Sequence, residues 1–213
     1  MTGPRFIPVC VLAAMLLHAY VAQAAEPQAA EPRAGGDRNG SRSVERALPA
    51  QRIEAAEKAG AAFLLKQIAK DGRVSGECDT ANPRFGGRTA LCAYALLSAG
   101  VNHKQPDLQR ALRWLTAAKL HGTYAVAMRA CALSAVKDSV VLPALKADAA
   151  WLVRAAASNG AYTYTSCDGK GAPEYDNSNA QMAVLGVWAA ARRGVEVPPE
   201  YWQLVEQYWT DQQ

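Results

Sequence analysis

Two long polar stretches, 71–88 and 159–177, hold most of the residues able to do chemistry. The first carries Glu77-Cys78-Asp79; the second carries Cys167-Asp168 and, further on, Glu174-Tyr175-Asp176. Cys78 stands fourteen residues after Leu64 and Cys167 fifteen after Leu152, so the two Cys-Asp pairs occupy similar places. Three readings of that pair stay open. A Cys78–Cys167 disulfide would clip the two stretches together, provided their Cα atoms come within about 7 Å. A zinc site could draw on Cys78, Cys167 and His121 with Asp79 or Asp168, which are suitable ligand types at a spacing that matches no known signature. The third reading is free thiols. Cys92 and Cys131 sit inside apolar runs and read as packing residues.

Asp176 is the candidate catalytic carboxylate. Tyr162, Tyr164, Tyr175, Asn179 and Gln181 are expected around it as a polar binding rim. The same segment also reads as a helix start: Ser178-x-x-Gln181 has the form of a capping box, and Asp176 would favour the positive end of the helix. No nucleophile elbow, phosphate loop or metalloprotease helix is present, and no metal or cofactor is called for.

The elements that position these residues are helices. Periodicity of three and four predicts amphipathic helices over 44–70, 108–120 and 145–157, with a last one opened by Pro198-Pro199. Between them run 89–101, 123–136 and 178–193, apolar on nearly every face, which predicts burial on all sides. Trp114, Trp151, Trp202 and Trp209 fall on the amphipathic helices and read as inter-helix packing. Aligned on Thr89, Thr123 and Ser178, the apolar helices repeat one another, and recurring helix pairs call for a stacked array.

The run Lys58-Ala59-Gly60-Ala61-Ala62-Phe63-Leu64-Leu65-Lys66-Gln67, followed by Asp71-Gly72, resembles the repeat of squalene cyclases and protein prenyltransferases, with Val74 at the usual Trp position. Trp151-Leu152 with Gly160-Ala161-Tyr162-Thr163-Tyr164 is similar, with Tyr in place of Trp. The segment 176–181 leading into 185–190 resembles exported bacterial members. The resemblance implies an all-α fold, an α/α-toroid-like array of helical hairpins forming an incomplete ring, with about three and a half pairs against the six of a full ring. It also implies, as one alternative, an isoprenoid cyclase or transferase. That chemistry needs a strong acid in a dry cavity lined by aromatics, and the inner helices offer mainly Tyr94, Tyr124 and Trp188. The acid and zinc motifs of the family are incomplete here, which disfavours that activity.

The beginning of the chain reads as a leader. Arg5 precedes an apolar run from Phe6 to Val21, ending at Ala22-Gln23-Ala24, so 1–24 is expected to be a signal peptide, taking Cys10 and His18 with it. Residues 25–43 are expected to be a disordered linker, and 44–213 the repeat domain. Export to the periplasm or the extracellular space follows, with no membrane span after cleavage. The net charge of +4 is spread without a basic block, which excludes a dedicated nucleic-acid surface. The expected function is an exported helical-repeat module that binds an unknown ligand or protein partner, as part of a larger envelope protein.

Overall fold

The described residues form seven α-helices, with no strand beyond one isolated bridge, Ile68–Val74. The structure is a computed structural model. It describes residues 50–171 and 175–212; the expected leader and linker, the segment 44–49 and Glu174 lie outside them. The helices are α1 (Ala50–Lys66), α2 (Gly87–Ser98), α3 (Pro106–Ala117), α4 (Thr123–Ser134), α5 (Leu142–Ala155), α6 (Asn177–Arg192) and α7 (Pro199–Asp211). Proline within the first turn starts α3, α5 and α7, where its missing N–H costs nothing. The α3 start is reinforced by Gln105, whose side chain accepts from the Leu108 N–H at 2.8 Å.

The center of the body is α4. It packs against α2 on one flank, α6 on the other and α5 beside them; α5 also packs on α6, α3 on α2 and α1 on α2. Every residue from Ala125 to Leu133 is buried. Small residues let these helices approach. A Cβ added at Gly186 would meet Ala127 Cα at 2.8 Å, and one at Gly87 would meet Ala125 Cβ at 3.5 Å.

Burial on all sides, expected of all three apolar helices, holds for α4 alone. On α2, Ala90, Ala93 and Leu96 are fully buried while Leu91 is 46% exposed. On α6, Ala180, Ala183, Val187 and Ala190 are buried while Met182, Leu185 and Trp188 are half-buried. The reason is position: α4 has an apolar helix on each flank, and α2 and α6 each have one. The amphipathic helices behave as their period requires, α3 burying Leu108, Ala111, Leu112 and Leu115. Trp114, Trp151, Trp202 and Trp209 lie half-buried against the core.

One charge sits inside the most apolar helix. Arg129 of α4 is 7% exposed and faces Asp148 of α5, 1% exposed. Arg129 Nε donates to Asp148 Oδ2 at 2.8 Å and Nη2 to Oδ1 at 2.5 Å, while Nη1 donates to the Leu115 and Ala118 carbonyls at the end of α3. Burial pushes the Asp148 carboxyl up, and the hydrogen bonds from Arg129 act against that. Three helices are therefore joined at one guanidinium, which satisfies carbonyls that α3 leaves free.

Candidate functional site

The first turns of α2, α4 and α6 gather at one end of the body, and the long polar stretches close over them. Both stretches begin with the same device. Gly72 has φ +91° and a Cβ there would meet the Arg110 carbonyl oxygen at 2.6 Å and Trp114 Cβ at 2.9 Å. Gly160 has φ +84°, and its Cβ would meet the Leu204 carbonyl oxygen at 2.7 Å and Tyr208 Cβ at 3.0 Å. Each glycine turns left-handed against the helix that follows the next apolar one, α3 or α7, a conformation and an approach that only glycine supplies. Equivalent backbone bonds brace both turns: Ala69 N–H to the Arg73 carbonyl at 2.8 Å, and Ala157 N–H to the Ala161 carbonyl at 2.9 Å.

Each first turn finds an acceptor. For α2 it is Glu77, whose Oε2 accepts from the Thr89 N–H at 2.8 Å and the Thr89 hydroxyl at 2.7 Å. Thr89 Oγ1 in turn accepts from the Val74 N–H at 3.0 Å. For α4 it is a backbone group, the Tyr164 carbonyl, which accepts from the Thr123 N–H at 3.0 Å. The Thr123 hydroxyl is buried with no hydrogen-bond partner. For α6 it is Asp176, whose Oδ1 accepts from the Ser178 N–H at 2.7 Å, the Ser178 hydroxyl at 2.5 Å and the Asn179 N–H at 3.4 Å. The capping residue is therefore Asp176 itself, two residues before the expected Ser178, and Ser178 serves it as a donor. The register of the repeat shifts as well. Thr89 is third in α2, Thr123 first in α4 and Ser178 second in α6, so the buried counterpart of Thr89 is Asn179.

The candidate rim separates into two groups. Tyr162 is completely buried, its hydroxyl donating to the Leu152 carbonyl at 2.8 Å and lying 3.2 Å from the Tyr201 hydroxyl. Burial pushes its phenol well above the ordinary range. Asn179 is 2% exposed. Both therefore lie beneath the surface, because one follows the Gly160 turn into the core and the other lies on the buried face of α6. Tyr164 and Tyr175 remain outside at 52% and 49% exposure, and Gln181 is exposed one turn into α6.

Tyr164 is the hub of the exposed group. Its carbonyl holds α4, and its hydroxyl donates to Asp176 Oδ2 at 3.2 Å. Tyr175 meets Tyr208 edge-on with ring centers 6.1 Å apart, and the Tyr208 hydroxyl donates to Asn177 Oδ1. A third aromatic belongs with them. Tyr124, second in α4 and next to the Thr123 that Tyr164 holds, is 39% exposed. In the sequence it falls among the inner-helix aromatics expected of a cavity and not on this rim; the available signal was a tyrosine at a helix start. Arg129 and Asp148 were also missed, although an arginine in the middle of an alanine-rich helix needs a buried partner.

The carboxylate at the center is held ionised. Hydrogen bonds from the Ser178 hydroxyl and N–H, with a further one from Tyr164, lower the Asp176 carboxyl below its ordinary 3.8. The cysteines are not joined. Cys78 and Cys167 are both free, so the disulfide reading is replaced by half-buried thiols, with Cys167 Sγ 3.7 Å from the Thr163 hydroxyl. Among the described residues no three His, Cys, Asp or Glu side chains could hold a metal ion, so Cys78, Cys167 and His121 do not converge. Cys92 and Cys131 lie in the core, where burial pushes their thiols up to about 11 and about 12. A groove of about 380 Å³ between the end of α5, Asp168–Gly169 and Leu204 contains none of the rim residues.

Comparison with family models, with curated proteins and with solved structures returned no match. No helix among the described residues is long and apolar enough to cross a membrane.

Proposed function

We propose that this chain is an exported binding module whose ligand or protein partner meets Tyr124, Tyr164, Tyr175 and Gln181 at the end where the apolar helices begin. The reading rests on one observation. Tyr164 and Tyr175 stand exposed on the segment that ends in a single ionised carboxylate, which Tyr164 hydrogen-bonds, and Tyr124 is exposed at the start of the helix that Tyr164 holds. Aromatic side chains with one apolar face and one polar tip suit recognition surfaces, because they bury area at little cost in side-chain entropy. The proposed architecture is an α/α-toroid-like array of helical hairpins, incomplete as a ring. The alternation of apolar and amphipathic helices and the paired glycine turns support it. The isoprenoid-cyclase alternative is weakened by the state of Asp176. Protonating an alkene needs a carboxyl that still carries its proton in a dry cavity, and this one is held as a half-exposed carboxylate and occupied as a helix cap.

Site-directed photo-cross-linking in the exporting cell tests the reading. A benzophenone side chain at position 164 should yield a discrete adduct, whereas one at Val140, 72% exposed in the turn that leads into α5, should not. Equal labelling from both positions, or none from 164, removes the rim as a binding surface.

A further inference from the structure

The first helix is a different kind of surface. It is 17 residues long, about 25 Å at 1.5 Å per residue, and none of its residues is buried. Among the described residues it meets the core through Ala61, Leu64 and Leu65 near its end, with Cys92 Sγ reaching the Leu64 carbonyl at 3.9 Å. A helix of this length with Gly60 in its interior is marginal in water without packing partners. Yet it also carries an apolar stripe that the other described residues leave uncovered. Ile53 is 49% exposed and Phe63 62% exposed, and a Cβ added at Gly60 would have open space around it. At 100° per residue, Ile53, Ala56, Gly60 and Phe63 fall within about 80° of one another. The Lys58–Glu54 ion pair, 2.6 Å, lies on the opposite side.

The stripe has a symmetry that selects its occupant. Ile53 and Phe63 stand five residues either side of Lys58, and Ala56 and Gly60 stand two either side. Laid antiparallel on itself, the stripe puts the small residues of one copy against those of the other at the crossing, and Ile53 of each copy against Phe63 of its partner. Such self-complementarity is what a two-fold interface requires, and the stripe itself brings no charge into the contact. We propose that α1 pairs antiparallel with α1 of a second copy, about an axis beside residue 58. One helix pair buries less than the roughly 1,200 Å² of a standard stable interface, so the dimer should form in the micromolar range.

Sedimentation of the full chain over about 1–100 µM should show monomer passing into dimer. The Ile53→Asp, Phe63→Asp double variant should weaken the dimer more than tenfold with the helical circular dichroism retained, and Lys58→Glu should change it less than twofold. A second measurement fixes the direction of pairing. Ala56→Cys mixed with Gly60→Cys should cross-link between those two positions, identified by peptide mapping, ahead of either variant alone. A wild-type chain monomeric throughout, a dimer that survives the double variant, or 56–56 cross-links ahead of 56–60 would each overturn the proposal.

Discussion

The two long stretches, which run between helices over 67–86 and 156–176 in the structure, are built on one frame and finished differently. Both open with a left-handed glycine pressed on a later helix, at Arg110 in one and Leu204 in the other, and both end by supplying a carboxylate to the start of an apolar helix. Two residues past the glycine, the first stretch sends in Val74 and the second Tyr162, both buried. There the likeness stops. The first stretch caps α2 from a distance with Glu77 and leaves no large apolar side chain outside; the second caps α6 with the adjacent Asp176 and leaves Tyr164 and Tyr175 in solvent. The first stretch shows that the frame can close without exposed tyrosines, so the second, although Tyr164 bonds Asp176 and Tyr175 meets Tyr208, leaves more aromatic surface outside than the frame needs. That is the argument for reading these tyrosines as a recognition surface.

The largest effect should come from cutting what both stretches share. Arg129→Met leaves Asp148 buried without its guanidinium and frees the Leu115 and Ala118 carbonyls, so unfolding should become easier by about 3–5 kcal/mol. Hydrogen exchange should then rise in both stretches together, because α4 stands between α2 and α6. Protection lost on one side only would mean that the two are not held by a common frame. Next in size are the glycine turns. Gly72→Ala and Gly160→Ala each force a left-handed alanine whose Cβ would lie 2.6 or 2.7 Å from a carbonyl oxygen. Each should cost about 2–3 kcal/mol in denaturant titrations. Equal costs support the equivalence of the turns; a cost near zero at either breaks it.

How far the sequence reveals this depends on the range of the interactions. The all-helical fold was legible because the three-and-four period is local, and the glycine turns were visible as Asp71-Gly72 and Asn159-Gly160. Burial of Tyr162 was not, because its hydroxyl is satisfied by the Leu152 carbonyl on the preceding helix and lies beside the Tyr201 hydroxyl, much further along the chain. The cap was placed at Ser178, but the helix begins at Asn177, two residues before the Asn179 start that a Ser178 cap implies, which makes Asp176 the capping residue. Of the candidate rim residues that moved inside, Tyr162 follows the Gly160 turn into the core, and Asn179 falls on the buried face of α6 because that helix starts earlier than a Ser178 cap implies. The exposed three, Tyr164, Tyr175 and Gln181, lie in or next to a polar stretch, where composition does predict exposure.

The smallest effect concerns the two caps. Asp176 has its native pKa lowered by its bonds to Ser178, so its contribution to stability is fully present above the unfolded value of 3.8 and is lost as pH falls through the lowered native one. Asparagine is also a good capping residue, so Asp176→Asn should leave stability near pH 7 almost unchanged while removing this acid-dependent part. The readout is exchange of the Ser178 and Asn179 amides between pH 5 and pH 3, taken relative to Thr89 in the same sample. In the wild type these amides should lose protection on acidification, and in the variant that loss should shrink while Thr89, held by Glu77, behaves alike in both. Identical acid profiles at position 178 in the two proteins would show that the carboxylate is not what holds the start of α6. The contrast between a cap supplied from a distance and one supplied by its neighbour would then have to be drawn without charge.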